Sequence, residues 1–230
     1  MLGAVMSSVK LIGVTQPVMV NSSMNDAQGL IAYCARVSNP ANQENSETDK
    51  LLSYMIRNQH WSPFEMVNVV MEIETTRDIA RQILRHRSFS FQEFSQRYAE
   101  VQEMSDPREA RLQDQKNRQN SIEMDDQIYE NIKKDWEWRQ ECVLEAAQQS
   151  YEWAIKHGIA KEVARSVLPE GLTMSRMYMN GTLRSWMHYV ELRCGNGTQK
   201  EHREIAEECK KILVQEFPFL KTTRFGTMPA

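Results

Sequence analysis

No apolar run of roughly 18 residues or more occurs in the 230-residue chain, which removes a helical membrane span. Cysteine is scarce. Cys34, Cys142, Cys194 and Cys209 are widely spaced and form no CxxC pair, so a disulfide framework is not expected, no metal centre is indicated, and a reducing compartment fits best. A glycine-rich phosphate loop is also missing: the only GxG is Gly195-Asn196-Gly197, and no strand precedes it, which argues against a Rossmann-type dinucleotide site. Ser7, Ser8, Lys10 and Gln16-Pro17 interrupt the apolar N-terminal stretch and no basic start precedes it, so a signal peptide is not expected and the protein reads as cytoplasmic. An excess of one charge is lacking too, since the formal net charge is only -3. A surface built throughout to hold nucleic acid is disfavoured, and any anion must be held by a local cluster.

A chain of this length can bury about 70% of the surface its unfolded form exposes, so it needs no cofactor or staple to fold. Val9 to Thr15 reads as a strand. Asn25 or Asp26 can cap a helix carrying Leu30, Ile31, Cys34 and Ala35, and Thr48 a second one carrying Leu51, Leu52, Met55 and Ile56. From Met66 to Thr75, Val67, Val69, Met71 and Ile73 alternate with polar residues, the period of a strand buried on one face. Thr75-Thr76-Arg77-Asp78 has the form of a capping box opening a helix that reaches Arg85 or beyond.

Residues 99 to 126 are charged and amide-rich with few apolar positions and read as a long surface loop. A long helix follows from about Gln127 to His157, with Gly158 as terminator, and a shorter one covers Lys161 to Val167. A strand-like stretch from Leu172 to Tyr178, a helix from Leu183 to Leu192 and a last helix with Ile205, Cys209, Ile212 and Leu213 complete the chain. Trp136, Trp138 and Trp153 read as helix packing, Cys34, Cys142 and Cys209 as small packing groups, and the 14 methionines as core filler. No repeat or composition shift marks a boundary. The expectation is a single α+β domain over residues 1 to 230, with a mixed or antiparallel sheet flanked by helices.

The stretch RHRSFSFQEFSQR, residues 85 to 97, puts Arg85, His86, Arg87 and Arg97 within thirteen positions of an acidic chain. Arginine donates in a planar fork that matches phosphate and carboxylate, so the cluster suits a nucleotide phosphate or an anionic ring. The blander alternative is a solvated helix end, where cations are also favoured. A rival from another class is a nucleic-acid-binding module, with Arg77, Arg81, Arg85 and Arg87 as a basic stripe and Phe89, Phe91 and Phe94 stacking on bases.

Arg85, His86, Arg87, Ser90, Ser95 and Arg97 match every specified position of RHRxxSxxxxSxR, so the stretch resembles the signature of flavin-dependent thymidylate synthases. At roughly one in twenty per position, six fixed residues coincide by chance on the order of once in 10⁷ windows or fewer. The likeness extends to HWSPFE at His60 to Glu65, ARSVLP at Ala164 to Pro169 and RSWMHYVELR at Arg184 to Arg193. It implies reductive methylation of dUMP to dTMP, with methylenetetrahydrofolate as one-carbon donor and FAD reduced by NADPH, in a homotetramer that shares its active sites between chains. Family flavin contacts fall on Ser38, His60, Ser62, Glu65, Arg85, His86, Arg87, Ser88, Gln92, Arg184 and His188. Nucleotide contacts fall on Gln82, Arg85, Glu93, Ser95, Gln96, Arg97, Arg165 and Arg193.

Residue type then suggests roles. Arg97 and Arg165 suit the phosphate, Gln82 offers a donor and an acceptor to a uracil edge, Glu93 suits a positioning acceptor, and Arg193 can stabilise charge on the pyrimidine as the catalytic residue. Gln82 and Arg85 would share a face if residues 76 to 87 stay helical. Taken alone, His60 also suits a backbone contact at a strand start, and His188 a satisfied core histidine. Ser90 and Ser95 have no His-Asp pair at a recognisable spacing, so neither reads as a nucleophile. The chain departs from the family pattern at Gln92, where many members have asparagine, and at Gly197, where some have a flavin-binding histidine. The turn Asn180-Gly181-Thr182 reads as one residue longer than in some relatives.

Overall fold

The computed structural model describes residues 7–19, 21, 23–223 and 225. Strand β1 (Ser8–Val14) forms as expected, with a register shift between Leu11 and Gly13. In β2 (Asn68–Thr76), alternation sends Val69, Met71 and Ile73 to one face, where all are fully buried, and Glu72 and Glu74 to the other. Strand β6 (Met174–Thr182) answers with Met177 and Met179 inward and Arg176 and Tyr178 outward. Burial of side chains this size contributes about 1.5–3 kcal/mol each, and one register slip would turn every one of them to water. The sheet order is β1-β2-β6-β3, with β3 spanning Ser90–Glu93, and every pairing is antiparallel.

Helices cover the apolar face. Asp26 caps α1 (Ala27–Ala35) by accepting from the Gly29 amide at 2.7 Å, whereas Thr48 precedes α2 (Asp49–Arg57) without a side-chain cap bond. Helix α6 (Leu183–Arg193) buries Trp186, whose Nε1 donates to the Val69 carbonyl at 3.0 Å and ties helix to sheet. Helix α7 (Lys200–Glu216) buries His202, Ile205, Cys209 and Leu213 along one stripe. The outer face of the sheet stays polar, where Lys10 meets Glu72 at 3.3 Å and the Arg176 Nε donates to Glu74 at 2.7 Å.

Several expectations need correction. Helix α3 spans only Arg77–Ile83, so residues 76 to 87 are not one helix and Gln82 and Arg85 do not share a helical face. The chain turns instead: His86 donates its amide to the Ile83 carbonyl and Phe89 to that of His86, and this turn feeds β3. No capping box forms, because Thr76 donates its hydroxyl to Asp78 at 2.6 Å and leaves the backbone amides alone. Asn180-Gly181-Thr182 is the end of β6 rather than a turn. Gly181 lies against the ring of Phe89, and a Cβ there would come within 2.4 Å of it. Phe89 in turn packs edge-on against Trp186 at 4.9 Å.

The segment from 99 to 126 is more than a loop. It holds a hairpin of β4 (Arg111–Gln113) and β5 (Ser121–Glu123), and its anchors are polar. Arg108 donates to both Asp78 oxygens at 2.8 and 3.2 Å, to Thr76 and to the Gly171 carbonyl. Its backbone exchanges two 2.9 Å bonds with the buried Gln140 amide of α4 (Glu130–Lys156). An apolar count misses such an anchor because charge and hydrogen bonds do the ordering. On α4 the tryptophans are not core: Trp136, Trp138 and Trp153 are 45%, 59% and 58% exposed, with Trp153 stacked on His157 of the same helix end at 4.2 Å, and Cys142 is exposed as well. The helix uses Ala147, Tyr151 and Ala154 to dock. Lys161–Ala164 forms α5, and a 3-10 turn at Arg165–Val167 follows it.

Among the described residues no helix is long and apolar enough to cross a membrane.

Candidate active site

The arginine-rich stretch folds as a tight turn and an edge strand, and that puts its charges outside. Arg85, Arg87, Ser88, Ser90, Gln92 and Arg97 are exposed, while Phe89 and Gln96 point inward. The basic stripe of the rival reading does not exist: Arg77 is 8% exposed and lies between Glu93 and Glu170, and Arg81 is held by Glu170 at 3.0 Å. What remains is a small set of available guanidinium groups around the turn.

Three side-chain groups can be built from the contacts. The first joins the turn to α6 and α7. Arg193, in the last turn of α6, donates its Nε to Nε2 of His86 at 2.9 Å. Burial, then the charges of Arg193 and Arg85, push the His86 imidazole down to about 4, so at neutral pH it is an uncharged acceptor. Its ring stands edge-on to Tyr189 at 4.9 Å. Gln82 donates its Nε2 to the Gln199 carbonyl oxygen at 2.7 Å, and its Oε1 lies 3.3 Å from Nδ1 of His202.

The second group gathers on the first turns of α6. Arg184 pairs with Glu65 of the 3-10 turn Ser62–Glu65, and His188, one turn further on, stands edge-on to Trp61 at 4.8 Å. His60 and Ser62 are exposed beside them. His60 is placed by Gln59, which takes the left-handed φ of 60°, and by its own amide bond to the Met55 carbonyl at 2.8 Å. A non-glycine residue there costs on the order of 1 kcal/mol, a strain that the following turn holds in place. Ser38 is exposed after α1, in a loop gripped by Arg36 through the Asn45 and Glu47 carbonyls.

The third group lies at the far end of β3. Glu93 accepts from the Ser175 hydroxyl at 2.9 Å and faces Arg77 at 3.6 Å, a setting for a fixed acceptor rather than a free base. The Ser95 hydroxyl accepts from the Arg97 amide, and the Arg97 guanidinium meets Glu162 at 3.2 Å. Arg165 caps α5 three residues after Glu162, so Glu162 brings the two arginines to one region. Gln96 is 4% exposed and its Nε2 has no hydrogen-bond partner, which is costly for a buried donor.

Sequence reading did not single out His202, Tyr189, Gln199, Ser175 or Glu162. A signal for His202 was present, since it falls three residues before Ile205 on the apolar stripe of α7, where a histidine must be partnered.

The sheet is antiparallel throughout and helices cover one face, so the fold is of the α+β class, with Arg85, Arg87 and Arg97 exposed along the signature stretch. The comparisons make this specific. The family model described as "Thymidylate synthase complementing protein" matches residues 19–219. A probable flavin-dependent thymidylate synthase of Paramecium bursaria Chlorella virus 1 is 51% identical, over 92% of this chain and 95% of its own length. A flavin-dependent thymidylate synthase of Synechocystis sp. is 53% identical, over 91% of this chain and 95% of its own. The chain belongs to the flavin-dependent thymidylate synthase family. Among solved structures, a UMP/dUMP methylase PolB from Streptomyces cacaoi bound with 5-Br UMP aligns over 93% of this chain and 91% of its own with a TM-score of 0.76; at 24% identity it shows the shared fold.

Proposed function

We infer that the turn and edge strand at residues 85 to 97 form one wall of a dUMP site that further copies of this chain complete. As a family member the protein is a flavin-dependent thymidylate synthase, an FAD-dependent methyltransferase that uses NADPH and methylenetetrahydrofolate as co-substrates. The observation that carries the site reading is the bond from Arg193 to the neutral His86, which aims a guanidinium beside the signature turn. An aimed cation in a partly dry cleft stabilises negative charge developing on a pyrimidine better than a solvated one does.

The donor set fits FAD. Arg85, Arg87 and Ser88 on the turn offer anion contacts, and Ser62, Arg184 and His188 offer others from α6 and its neighbouring turn, with His60, Glu65, Ser38 and Gln92 at the margins. When bound, FAD supplies hydride and one-carbon chemistry. The chain's own residues bind and orient. Arg97 and Arg165 take the phosphate, with Glu162 as the partner the ligand displaces. Ser95 and Glu93 fix the sugar side, and Gln96 gives its unpartnered amide to the nucleotide. Binding energy from the phosphate then holds the ring in place at a distance from the reacting carbon.

A homotetramer accounts for two observations. The candidate contacts fall in separate groups, and α4 presents Trp136, Trp138 and Trp153 to the outside, which a second copy would cover. Free cysteines suit a cytoplasmic enzyme. The test is tritium release from 5-tritiated dUMP, measured with each of FAD, NADPH and methylenetetrahydrofolate left out in turn. Release that needs all three is expected. Release independent of FAD, or a flavin-loaded monomer by light scattering, would sink the shared-site reading.

A further inference from the structure

Behind Gln82 runs a line of hydrogen bonds that ends on a carboxylate. Glu201, at the start of α7, is held by Arg111 and lies 3.5 Å from the Arg108 Nε. Burial alone would push its carboxyl up, but its backbone hydrogen bond, Arg108, Gln199 and Arg111 together hold it below the usual range, so it is ionised and can only accept. That fixes the direction of every bond behind it. Gln199 must turn its NH₂ to Glu201, at 2.9 Å, which leaves its carbonyl oxygen to accept from Gln82 at 2.7 Å. Gln82 must then turn its own carbonyl to His202, so the proton of His202 sits on Nδ1, 3.3 Å away. Nε2 of His202 is left as an acceptor, and the Tyr189 hydroxyl donates to it at 3.1 Å.

Both terminal groups are suited to these roles. His202 is fully buried, and burial first, then the nearby charge of Arg193, pushes it down to about 3, so it stays neutral. Burial likewise keeps the Tyr189 phenol protonated. Of the four hydrogen-bonding valences of the Gln82 amide, one N–H and one lone pair of the carbonyl are spent inside this line. One N–H and one lone pair remain.

We propose that His202, Tyr189 and Gln199 are positioning residues that lock the Gln82 amide in one of its two flips, so that it presents an N–H to a carbonyl oxygen of the substrate's uracil ring. The direction of the lock is set by Glu201 and the two arginines of the polar segment, Arg108 and Arg111. The proposal rests on Gln82 lying at the pyrimidine. An amide free to flip would present a carbonyl to a carbonyl half of the time and would leave a buried acceptor facing its like.

The test uses FAD-loaded enzyme and calorimetric titration with two probes, dUMP and the base-free 2-deoxyribose 5-phosphate. His202→Phe fills the volume without a donor, while His202→Asn keeps an N–H near the Nδ1 position. The lock predicts that His202→Phe weakens dUMP binding about tenfold, as loss of one oriented hydrogen bond would, with no change for the base-free phosphate, and that His202→Asn recovers most of the loss. Tyr189→Phe should fall between them, because it only frees the tautomer. Equal weakening of both probes, or Asn faring no better than Phe, would mean that His202 merely packs and would overturn the proposal. Gln82→Ala separates the underlying assumption: unchanged dUMP binding in that variant removes Gln82 from the pyrimidine and the lock's purpose with it. Weakened binding in Gln82→Ala beside normal binding in His202→Phe removes the lock alone.

Discussion

Arg108 and Arg85 carry the same guanidinium into opposite situations. Arg108, in the polar segment, is saturated by Asp78, Thr76 and Gly171 and lies beside Glu201, while Arg85, on the signature turn, is exposed and pairs with no carboxylate among the described residues. The first kind of arginine is spent on the fold, ordering a segment that has too few apolar side chains to order itself. The second kind is left with its fork available, and an available fork next to a neutral histidine is what an anionic substrate can use. Net charge could not distinguish them, because the distinction lies in whether acidic partners come from elsewhere in the chain.

The widest separation of the two kinds should come from Arg193→Ala. Turnover of dUMP should fall by a factor on the order of 10²–10³, as for removal of an aimed charge-stabilising donor, while FAD content and melting temperature stay near wild type. A variant that loses FAD but binds dUMP normally when refilled would put Arg193 with the flavin instead. Arg108→Ala should act mainly on the fold, lowering unfolding free energy by about 2 kcal/mol, since it takes the guanidinium from the partly buried Asp78 and leaves Glu201 with one arginine in place of two. Urea unfolding measures it, and a change below a few tenths of a kcal/mol would show that the segment is held by something other than its arginine anchors.

A smaller effect concerns pH. His202 and His86 have folded values pushed down to about 3 and about 4, below the ordinary 6.5, so the unfolded chain takes up protons that the fold refuses. Their neutral forms are compatible with full stability above pH 6.5, and stability is lost as pH falls from there toward the folded values. Each proton contributes a slope of about 1.4 kcal/mol per pH unit inside that window. His202→Asn should flatten the curve by up to one such proton, and an unchanged slope in urea titrations at pH 4.5 to 6.5 would contradict the buried neutral assignment. The smallest effect should come from the thiols. Cys194 follows Arg193, but burial first and Glu207 second push its thiol up to about 11, so it is no thiolate at neutral pH. Cys194→Ala should leave FAD-dependent dTMP formation within about twofold in protein that binds both ligands.

The strands β1 and β2, the helices α1, α2, α4, α6 and α7 and the α+β class were legible because apolar periodicity records burial directly, while the choice between a mixed and an antiparallel sheet was not. The turn at His86 was not. Residues 84 to 87 carry good helix formers, and what ends the helix is the pull of β3 into the sheet beside β6, a partner remote in sequence. The hairpin of the polar segment escaped for a related reason: its anchors are ions, and periodicity does not record ion pairs. Trp136, Trp138 and Trp153 misled in the other direction, since large apolar side chains look like core to any pattern whether or not the fold buries them. The six signature positions lie within one local window of sequence, but the line of hydrogen bonds behind Gln82 depends on α7 arriving beside α3, which no local window contains.

Phe89 is wedged among His86, Trp186 and Tyr189, and the wedge is held shut from the other side by the bare backbone of Gly181. The signature turn is therefore cast against a mould that belongs to β6. A single added methyl group in that mould, Gly181→Ala, would displace the ring, tilt the imidazole beside it and misdirect Arg193, disabling the enzyme from a position that carries no reactive atom of its own.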